Sequence, residues 1–578
     1  MAIDFNIMVG GEAGQGVQSV GSVLANTIAQ GGLHVFADQD YESRVRGGHN
    51  FFRVRVSDKE VMAISEKLDI LIALNKETIT LHKDELKSDG IIVFDQTQTK
   101  METHGGSYFD VPSAKLAEEA VRSNQNKLMA NTVAVGAAIG LAGYDFSILA
   151  SVLKKEFFRY GEKITEDNVA AAKAGFDFAN EHGKDKLSRN LHPLPGNHKR
   201  MLLHGNEALS LGALVGGCKF VTGYPMTPAT SILEYLADKG RRFNVVTVHV
   251  EDEIAAINMA VGAAYAGVRA MVATSGGGFC LMVEGLALAG MTETPVVIVL
   301  GQRPGPATGL PTRMEQGDLW FALHAGHGEF PRAVLAPATA EEAFHATIKA
   351  FNLAEKYQTP VFILTDHHLA TSYTIAERFD LKQVKIDRGE LLSDEEVSEL
   401  SDYKRHMVTE SGISPRALPL QGKALVVTDS DEHDEDGHMI EDGETRNKQN
   451  LKRLRKLNGL NAEISPPRIL RTPGAKINLI GWGSTYGAIK ESADILREEG
   501  VDANIVHISE IWPFPAEAVA SVLSSGAKNI VIEGNATAQM GRLIRRETGI
   551  KVDGSVLRFD GRPLSPQYII EQLKKGVI

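Results

Sequence analysis

The stretch Gly223-Tyr224-Pro225-Met226-Thr227-Pro228 is the first of four polar or glycine-rich loops that each follow a short apolar segment. The next three loops are His249-Val250-Glu251-Asp252-Glu253, Thr274-Ser275-Gly276-Gly277-Gly278 and Gly301-Gln302-Arg303-Pro304-Gly305. The apolar segments have the length of buried strands, and longer helix-compatible segments connect them. Open sheets of parallel strands bind ligands at the carboxyl ends of their strands. The pattern therefore predicts an α/β domain with a doubly wound parallel sheet and one ligand crevice lined by the four loops.

The rest of the chain predicts further α/β domains with doubly wound parallel sheets. Residues 1–185 alternate strand and helix patterns, and a segment rich in Lys, Asn, Pro and Gly separates them from the central domain at residues 200–375. Residues 376–472 are charged and irregular, and residues 473–578 return to the α/β pattern. We therefore expect a first α/β domain, a central ligand-binding domain, a charged connecting region and a C-terminal α/β domain.

Charge and cysteine content restrict the classes of function. The 578 residues carry a net charge of −12, which argues against nucleic acid as a partner because phosphate binding needs a basic surface. The two cysteines, Cys218 and Cys280, are too few to ligate an iron–sulfur cluster and are expected to be buried free thiols. The sequence shows neither a signal peptide nor a membrane span, so we expect no membrane partner and a cytoplasmic location.

Glu251 is the candidate for a catalytic carboxylate. It ends an apolar segment and precedes a run rich in Ala and Gly, so it would be partly shielded from water and could share a proton with a heterocyclic nitrogen. The alternative is a carboxylate stabilised by the helix dipole, a role that also suits Asp252 and Glu253. Thr227 lies between two prolines that fix its direction, although the same pattern suits a helix N-cap.

Two arginines are candidates for binding the carboxylates of a substrate. Arg303 follows an apolar segment and precedes a loop rich in Pro and Gly, where its guanidinium can form two parallel hydrogen bonds with a carboxylate. Arg313 lies farther along the same loop and either holds a second carboxylate or is a surface arginine.

Two further segments leave their function open. Gly10-Gly11-Glu12-Ala13-Gly14-Gln15-Gly16 lies between strand and helix patterns, where backbone N–H groups can bind an anion, but its glycine spacing differs from that of dinucleotide sites. A tight turn packed against another subunit is the alternative. In the acidic segment 430–438, His433 and His438 lie among carboxylates, and we favour a solvated loop over a metal site.

A set of motifs along the chain carries a family resemblance. In order, they are Tyr224-Pro225-Met226-Thr227-Pro228, Glu251-Asp252-Glu253-Ile254-Ala255, Thr274-Ser275-Gly276-Gly277-Gly278-Phe279, Gly309-Leu310-Pro311-Thr312 and Glu315-Gln316-Gly317-Asp318-Leu319. Together they resemble the α subunit of 2-oxoacid:ferredoxin oxidoreductases. The first 190 residues resemble the γ subunit of that family through Gly11–Gly16 and Ser43-Arg44-Val45-Arg46-Gly47-Gly48. The chain is similar to the fused γ–α subunit of the 2-oxoglutarate:ferredoxin oxidoreductase type.

The resemblance implies an enzyme that uses thiamine diphosphate, with a central domain of the pyrimidine-binding type. Glu251 would meet the ring nitrogen of the aminopyrimidine. The other residues expected to border the cofactor are Tyr224, Pro225, Ser275 and Gly276. The family often has Ser-Gly-Pro-Gly where this chain has Ser275-Gly276-Gly277-Gly278, so the chain departs from the pattern at one position.

The same resemblance implies the reaction. Thr227 and Arg303 would hold the carboxylate and carbonyl of a 2-oxoacid, which is converted with coenzyme A to an acyl-CoA and CO₂ while electrons pass to ferredoxin. The reverse reaction, a reductive carboxylation, would use the same residues. The γ–α fusion and a second carboxylate contact at Arg313 favour 2-oxoglutarate, and pyruvate or a branched-chain 2-oxoacid is the alternative.

The resemblance also implies a partner. The chain lacks the Gly-Asp-Gly and following Asn that bind Mg²⁺ and the diphosphate in the family, and it lacks the cysteines of an iron–sulfur cluster. Both would belong to a β subunit, which predicts an assembly of two α–β pairs that share the cofactor between chains. Two other functions remain open: a non-catalytic scaffold that binds a nucleotide at Gly11–Gly16, and an NAD-dependent dehydrogenase, which the glycine spacing disfavours.

Overall fold

The computed structural model describes residues 3–44, 47–101, 105–121, 126–183, 186–196 and 199–576, with only the backbone of residues 126–128. The chain forms two compact units. The first runs to Leu203 and includes Ser372–Arg378 and Ser565–Gln567, and the second comprises His204–Thr371, Phe379–Leu564 and the chain from Tyr568. The first boundary lies just after the predicted linker, and the finer division into four parts stays a prediction.

Within the described residues, the first unit is built on an eight-stranded sheet. Its strands are β1 (Asp4–Ala13), β2 (His34–Asp40), β3 (Gly47–Ser57), β4 (Leu68–Ala73), β5 (Leu86–Phe94), β6 (Tyr108–Asp110), β7 (Met201–His204) and the later strand Tyr373–Ala376. The strand order is β6-β5-β4-β1-β3-β2, then Tyr373–Ala376 and β7. β1 pairs parallel with β4 but antiparallel with β3, so this sheet is mixed and not purely parallel as expected. The reason is that β2 and β3 pair directly through a short connection, which makes consecutive strands antiparallel.

In the described part of this unit, seven α-helices accompany the sheet. They are α1 (Val17–Gln30), α2 (Lys76–His82), α3 (Gln96–Thr99), α4 (Ser113–Ala120), α5 (Asn126–Leu141), α6 (Phe146–Phe157) and α7 (Glu162–His182). Of these, α1 and α4 to α7 share one apolar core with the sheet, while α2 packs into a separate apolar cluster. α5 and α7 approach at backbone contact, because a Cβ built at Gly136 would lie 1.9 Å from the Ala172 carbonyl oxygen and one at Gly175 would lie 2.0 Å from that of Val133. The two glycines therefore permit this helix pair.

The centre of the second unit is the predicted parallel sheet. Its strands are β8 (Phe220–Gly223), β9 (Val246–His249), β10 (Ala270–Ser275), β11 (Val296–Gln302), β12 (Ala333–Leu335) and β13 (Pro360–Asp366), and Tyr373–Ala376 of the first unit is β14. They run parallel in the order β12-β13-β11-β10-β8-β9. Every residue of β10, β11 and β13 is buried, as expected for strands covered on both faces. The α/β fold class is confirmed.

The helices of this part follow the strands in alternation. They are α8 (Gly205–Val215), α9 (Thr230–Lys239), α10 (Glu253–Tyr265), α11 (Gly276–Met291), α12 (Leu319–His324), α13 (Ala340–Tyr357) and α14 (His367–Thr371). α10 begins at the end of β9, and α11 begins directly after β10, which places both helix starts at the carboxyl edge of the sheet.

The connecting region is more regular than its sequence suggests. It contains α15 (Asp394–Glu399) and the 21-residue helix α16 (Gly443–Glu463). The buried face of α16 is largely polar and includes Lys452, Arg453 and Lys456, so the apolar periodicity that normally reveals a helix is missing.

A buried carboxylate holds α16 in place. Glu293, just after α11, lies 2.6 Å from Lys452 Nζ, also pairs with Lys456 and lies 3.1 Å from His406 Nδ1. Burial alone would raise the pKa of Glu293, but the two ammonium groups and His406 lower it well below its usual value. The carboxylate is therefore ionised in the folded chain.

The C-terminal part of the second unit has its own sheet. The strands of this sheet are β15 (Arg468–Leu470), β16 (Ile477–Trp482), β17 (Ala503–Ile508), β19 (Lys528–Glu533) and β20 (Gly554–Leu557). The same part of the chain contains strand β18 (Glu510–Trp512) and helices α17 (Tyr486–Glu498), α18 (Ala516–Leu523), α19 (Gln539–Thr548) and α20 (Pro566–Gly576). The order is β15-β17-β16-β19-β20, while β18 adds to the central sheet by pairing antiparallel with β12. In the described part of the chain, no helix is both long and apolar enough to cross a membrane.

We predict that Glu293→Gln destabilises the second unit by about 3–5 kcal/mol, because two buried ammonium groups lose their counter-charge. Scanning calorimetry of the whole chain should show a lower melting temperature. The control is Glu444→Gln, which removes an exposed pair with Lys448 on the same helix α16 and should leave the transition unchanged. Equal effects of the two substitutions would contradict the account of α16.

Candidate active site

The loops at the carboxyl edge of the central sheet meet, as predicted. Arg303 donates from Nη1 to the carbonyl oxygen of Thr227 at 2.8 Å, which joins the loop after β11 to the loop after β8. A Cβ built at Gly277 would lie 4.0 Å from Met226 Sδ and 3.7 Å from the Ala307 carbonyl oxygen. The first turn of α11 therefore faces both loops.

The acidic residues after β9 differ in burial. Asp252 caps α10 by accepting a hydrogen bond from the Ala255 N–H at 2.9 Å, so the helix begins at Glu253. Glu251 precedes the cap and is exposed in this chain, whereas Glu253 is 4% exposed. The shielding from water that was expected of Glu251 is found at Glu253, because the first helical residue turns back against β10 while Glu251 stays in the turn.

The Glu253 side chain packs beside the end of β10, and the space around its carboxylate is called the pocket. A Cβ built at Gly278 would lie 2.5 Å from Glu253 Oε1 and 2.2 Å from Thr274 Oγ1, so this glycine leaves the room that both side chains occupy. Glu253 Oε1 and Ser275 Oγ are buried and have no hydrogen-bond partner among the described residues. Leaving such an atom unpaired costs about 1–3 kcal/mol, and more for a charged group. The two atoms therefore make this a candidate site for a polar ligand.

Asp318 and Arg303 add opposite charges to this edge of the sheet. A Cβ built at Gly276 would lie 2.5 Å from Asp318 Oδ2, so the carboxyl group lies over the start of α11. Burial raises the pKa of Asp318 to about 6, and Arg303 acts in the opposite direction. Burial lowers the pKa of Arg303, which the charge of Asp318 opposes. The charge of Asp318 thus changes just below neutral pH.

The remaining predicted residues lie around this centre. Tyr224 and Pro225 are exposed in this chain, and the Tyr224 ring meets the His249 ring edge-on with centroids 6.0 Å apart. Thr227 is not a helix N-cap, since α9 begins at Thr230. Arg313 lies farther along the loop after β11 and packs against Gly561. A Cβ built at Gly561 would lie 3.0 Å from the Cβ of Arg313.

In the first unit, the glycine-rich segment is divided between a strand and a turn. Gly10 and Gly11 belong to β1, while Gly14 and Gly16 adopt positive φ angles of 91° and 78° before α1. Residues 14–16 line a cavity of about 660 Å³. Nucleotide binding there stays a prediction, because the turn shows no partnerless buried side chain that would identify a ligand among the described residues. In the neighbouring family motif, Val45 and Arg46 lie outside the described residues.

The two histidines of the acidic segment do not converge. His433 is fully buried, with its ring centroid 4.0 Å from that of His406, whereas the His438 side chain is 67% exposed. Where the chain is described, no group of three or more His, Cys, Asp or Glu residues is arranged to hold a metal ion.

The cysteines differ from each other. Cys218 is buried, and burial raises the pKa of its thiol to about 12. Cys280 is exposed in this chain, so the expectation of a buried thiol is wrong there. It lies one helical turn after Gly276, on the outer face of α11. The apolar residues next to it in the sequence gave the wrong expectation of burial.

Family models match the chain in succession. The model described as "Pyruvate ferredoxin/flavodoxin oxidoreductase" matches residues 6–178, and "Pyruvate:ferredoxin oxidoreductase core domain II" matches residues 475–569. Between them, "Pyruvate flavodoxin/ferredoxin oxidoreductase, thiamine diP-bdg" matches residues 211–451, which include every loop of the pocket. Thiamine diphosphate is therefore the cofactor of this part of the chain.

Full-length relatives agree with these models. The "2-oxoacid:ferredoxin oxidoreductase subunit alpha" of Sulfolobus sp. is 35% identical over 99% of this chain and 96% of its own length. The chain belongs to the family of 2-oxoacid:ferredoxin oxidoreductase α subunits. The "2-oxoglutarate oxidoreductase subunit KorA" of Mycobacterium tuberculosis is 29% identical over 96% of this chain and 89% of its own.

A solved structure has the same fold over the whole chain. The 2-oxoglutarate:ferredoxin oxidoreductase from Magnetococcus marinus, described with 2-oxoglutarate, coenzyme A and succinyl-CoA bound, matches with a TM-score of 0.91. It is 32% identical, and the match covers 99% of both chains. The family and the oxidoreductase class inferred from the motifs are confirmed.

Sequence reasoning on this α subunit missed two residues of the pocket. Glu253 was interpreted as a helix-start carboxylate, although the capping residue directly before it already marked it as the first helical residue. Asp318 belongs to the family motif Glu315-Gln316-Gly317-Asp318-Leu319, but only the fold shows that it lies over Gly276.

We predict opposite effects for alanine at adjacent glycines of α11. Gly278→Ala should destabilise the chain by about 1–3 kcal/mol, because its Cβ would overlap Thr274 and Glu253. Gly277→Ala meets no atom closer than 3.7 Å and should stabilise the helix by about 0.5–1 kcal/mol. Thermal unfolding of the chain without cofactor measures both, and a stable Gly278→Ala would contradict the packing around Glu253.

Proposed function

We propose that this α subunit binds the aminopyrimidine of thiamine diphosphate through Glu253 and, with a β subunit, converts 2-oxoglutarate and coenzyme A to succinyl-CoA and CO₂ while an electron pair passes to ferredoxin. The observation that carries the proposal is the buried carboxylate oxygen of Glu253, which has no partner in the described chain. Reductive carboxylation would use the same residues in the opposite direction.

The pocket fits an aminopyrimidine. Its buried partnerless atoms, Glu253 Oε1 and Ser275 Oγ, can accept or donate hydrogen bonds, and a heterocycle with ring nitrogens and an amino group offers both complements. Beside Gly277, where a Cβ would meet no atom closer than 3.7 Å, α11 leaves space for a flat ring. When bound, thiamine diphosphate supplies a carbon nucleophile and an electron sink for decarboxylation. Glu253 would hold a proton against the ring nitrogen and exchange it there.

This assignment moves the role first given to Glu251 by two residues. Glu251 is exposed in this chain, and a carboxylate in water shares its proton with solvent. Glu253 is shielded by the packing of α10 and α11, so it exchanges its proton with the pocket.

Arg303 and Thr227 are the proposed contacts for the 2-oxoacid. The Arg303 Nη1 group is held by the Thr227 carbonyl, which orients the guanidinium and leaves its other N–H groups for a substrate carboxylate. Asp318 lies close enough to Arg303 to influence the charge of this contact. These residues would hold the acid beside the pyrimidine pocket.

For the substrate, we favour 2-oxoglutarate. The solved structure with the same fold is described with 2-oxoglutarate and succinyl-CoA, and one full-length relative is named a 2-oxoglutarate oxidoreductase. The half-buried Arg313, on the loop that begins at Arg303, would hold the second carboxylate. Pyruvate or a branched-chain 2-oxoacid is the second candidate, because other relatives carry the general 2-oxoacid name.

The proposed partner is a β subunit that carries Mg²⁺, the diphosphate contacts and an iron–sulfur cluster. Apolar side chains next to the pocket are exposed in this chain: Tyr224 at 40%, Ile254 at 48%, Met259 at 40% and Leu281 at 49%. An exposed apolar surface around a cofactor pocket suits a stable subunit interface. We propose an assembly of two α–β pairs in the cytoplasm.

A scaffold that binds a nucleotide at Gly11–Gly16 is the non-catalytic alternative. An NAD-dependent dehydrogenase is set aside, because the relatives are ferredoxin oxidoreductases.

We predict that Glu253→Gln lowers turnover of the assembled enzyme by about 10²–10⁴, because an amide cannot exchange the proton. Glu251→Gln should change turnover by less than about threefold, since this side chain is outside the pocket. Steady-state assays with the β subunit measure both. A large loss in Glu251→Gln with little change in Glu253→Gln would assign the proton-exchanging role to Glu251. Full activity of both variants would favour the non-catalytic scaffold.

We predict that the affinity for the 2-oxoacid falls as the pH rises through about 6. Asp318, whose pKa is raised to about 6, is neutral below that pH and ionised above it, and its charge then competes with the substrate carboxylate for Arg303. The affinity should change roughly threefold to tenfold across this pH range. Glu315 is the other nearby carboxylate whose pKa is raised by burial. Calorimetric titration of the complex should give a flat profile for Asp318→Asn, and an unchanged slope would contradict this role.

We predict that Arg313→Met lowers kcat/KM for 2-oxoglutarate by about 10–100-fold, as expected for a lost charge-assisted hydrogen bond. Activity with pyruvate should not change, because pyruvate has no second carboxylate. Arg562→Met, at an exposed arginine near the same loop, is the control. A wild-type preference for pyruvate would overturn the substrate assignment.

A further inference from the structure

Gln316 ties the loop between β11 and α12 to two strand ends of the C-terminal sheet. Its Nε2 donates to the Trp482 carbonyl at 3.1 Å, and its Oε1 accepts from the Gly534 N–H at 2.9 Å. Its main-chain N–H donates to the Gly534 carbonyl at 2.6 Å, and its own carbonyl accepts from Asn535 Nδ2 at 3.2 Å. Each polar group of this fully buried residue therefore bonds to the ends of β16 and β19.

Glycines after β16 and β19 leave room for the Gln316 side chain. A Cβ built at Gly483, which has a φ of 55°, would lie 3.0 Å from Gln316 Nε2. A Cβ built at Gly534 would lie 3.4 Å from Gln316 Cγ and closer still to Met314. The glycines after Trp482 and Glu533 thus admit the amide between the two strands. An apolar side chain in its place would leave the Gly534 N–H unpaired and would remove one of the two donors to the Trp482 carbonyl, the other being Thr485 Oγ1.

The neighbours of Gln316 are fixed in the same way. The Met314 N–H donates to the Gly561 carbonyl at 3.0 Å, and Gln539 Nε2 donates to the Gly317 carbonyl at 2.7 Å. The second half of the loop is therefore held by the C-terminal part of the unit. Asp318, two residues after Gln316, lies over Gly276 and also donates its N–H to Gln302 Oε1 at 3.0 Å.

We propose that Gln316 is a positioning residue through which the C-terminal sheet holds the loop of residues 303–318, and with it Asp318 and Arg303, against the cofactor pocket. This inference rests on the proposed function, in which that loop binds the 2-oxoacid. It assigns the C-terminal sheet a role in substrate binding, although none of the residues that would touch the substrate lies in it.

Gln316→Leu tests the inference in the full chain and in its complex with the β subunit. Hydrogen–deuterium exchange of the chain should become faster in residues 303–318 and stay unchanged in residues 246–278. In the complex, kcat/KM for the 2-oxoacid should fall by about 10–100-fold, because misplacing a binding group by about 1 Å has an effect of that size. The amount of thiamine diphosphate retained by the complex should not change.

Gln316→Glu provides a second variant that keeps the shape of the side chain. A protonated carboxyl group can donate to the Trp482 carbonyl and accept from the Gly534 N–H, as the amide does, whereas an ionised one is repelled by that carbonyl. Its kcat/KM relative to wild type should therefore recover as the pH is lowered, while Gln316→Leu stays low at every pH. A general loss of folding would not give this pattern.

Lys349→Met is the matched control, because Lys349 on α13 lies 2.7 Å from Glu510 and joins the same two parts of the unit away from the loop. It should lower thermal stability without changing the KM for the 2-oxoacid. Unchanged exchange and kinetics in Gln316→Leu, the same kinetic defect in Lys349→Met, or no pH recovery in Gln316→Glu would each overturn the inference. If Glu253→Gln is fully active, the proposed function fails. If Glu253→Gln is inactive while Gln316→Leu is fully active, only the positioning role of Gln316 fails.

Discussion

The second unit is organised around the carboxylate of Glu253, which is buried although its Oε1 atom has no hydrogen-bond partner among the described residues. Glu253 begins α10 behind the Asp252 cap, and the packing of α10 against α11 shields it from water. Within the described chain its Oε1 lacks a hydrogen bond, as does the neighbouring Ser275 Oγ. Such atoms are expensive to keep unpaired, so their retention in an otherwise close-packed sheet is explained by a ligand that pairs with them. Because the matching family domain binds thiamine diphosphate, we propose that this ligand is the cofactor.

Other features of the second unit serve to present this pocket. Parallel strands bring the loops after β8, β10 and β11 to one edge, where glycines at the start of α11 admit the side chains of Asp318 and Glu253 and leave space beside Gly277. Arg303 is oriented by a backbone carbonyl, and Asp318 lies over Gly276. The C-terminal sheet contributes from outside, through Gln316. The exposed apolar side chains beside the pocket leave a surface on which a second chain can complete the site.

Much of this was predictable from the sequence, because it follows local patterns. Alternating strand and helix patterns predicted the central sheet, and glycine- and proline-rich loops after apolar segments predicted the crevice with Arg303 and Thr227 in it. What the local patterns did not reveal depends on three-dimensional packing. Whether Glu251 or Glu253 is buried depends on where helix α10 begins. Helix α16 was not predicted, because it buries lysines that pair with Glu293 and therefore lacks an apolar face. Cys280 looks buried in the sequence because its neighbours Phe279, Leu281 and Met282 are apolar. The contacts of Gln316 join residues far apart in the chain and leave no local pattern.

The most direct measurement is a structure of this α subunit with its β partner and thiamine diphosphate bound. A carboxylate oxygen of Glu253 should lie about 3 Å from a nitrogen of the aminopyrimidine ring, with Ser275 Oγ in hydrogen-bond contact with the cofactor or an ordered water. The account would be contradicted if Glu253 stayed without a partner while Glu251, or a residue of another loop, met the ring.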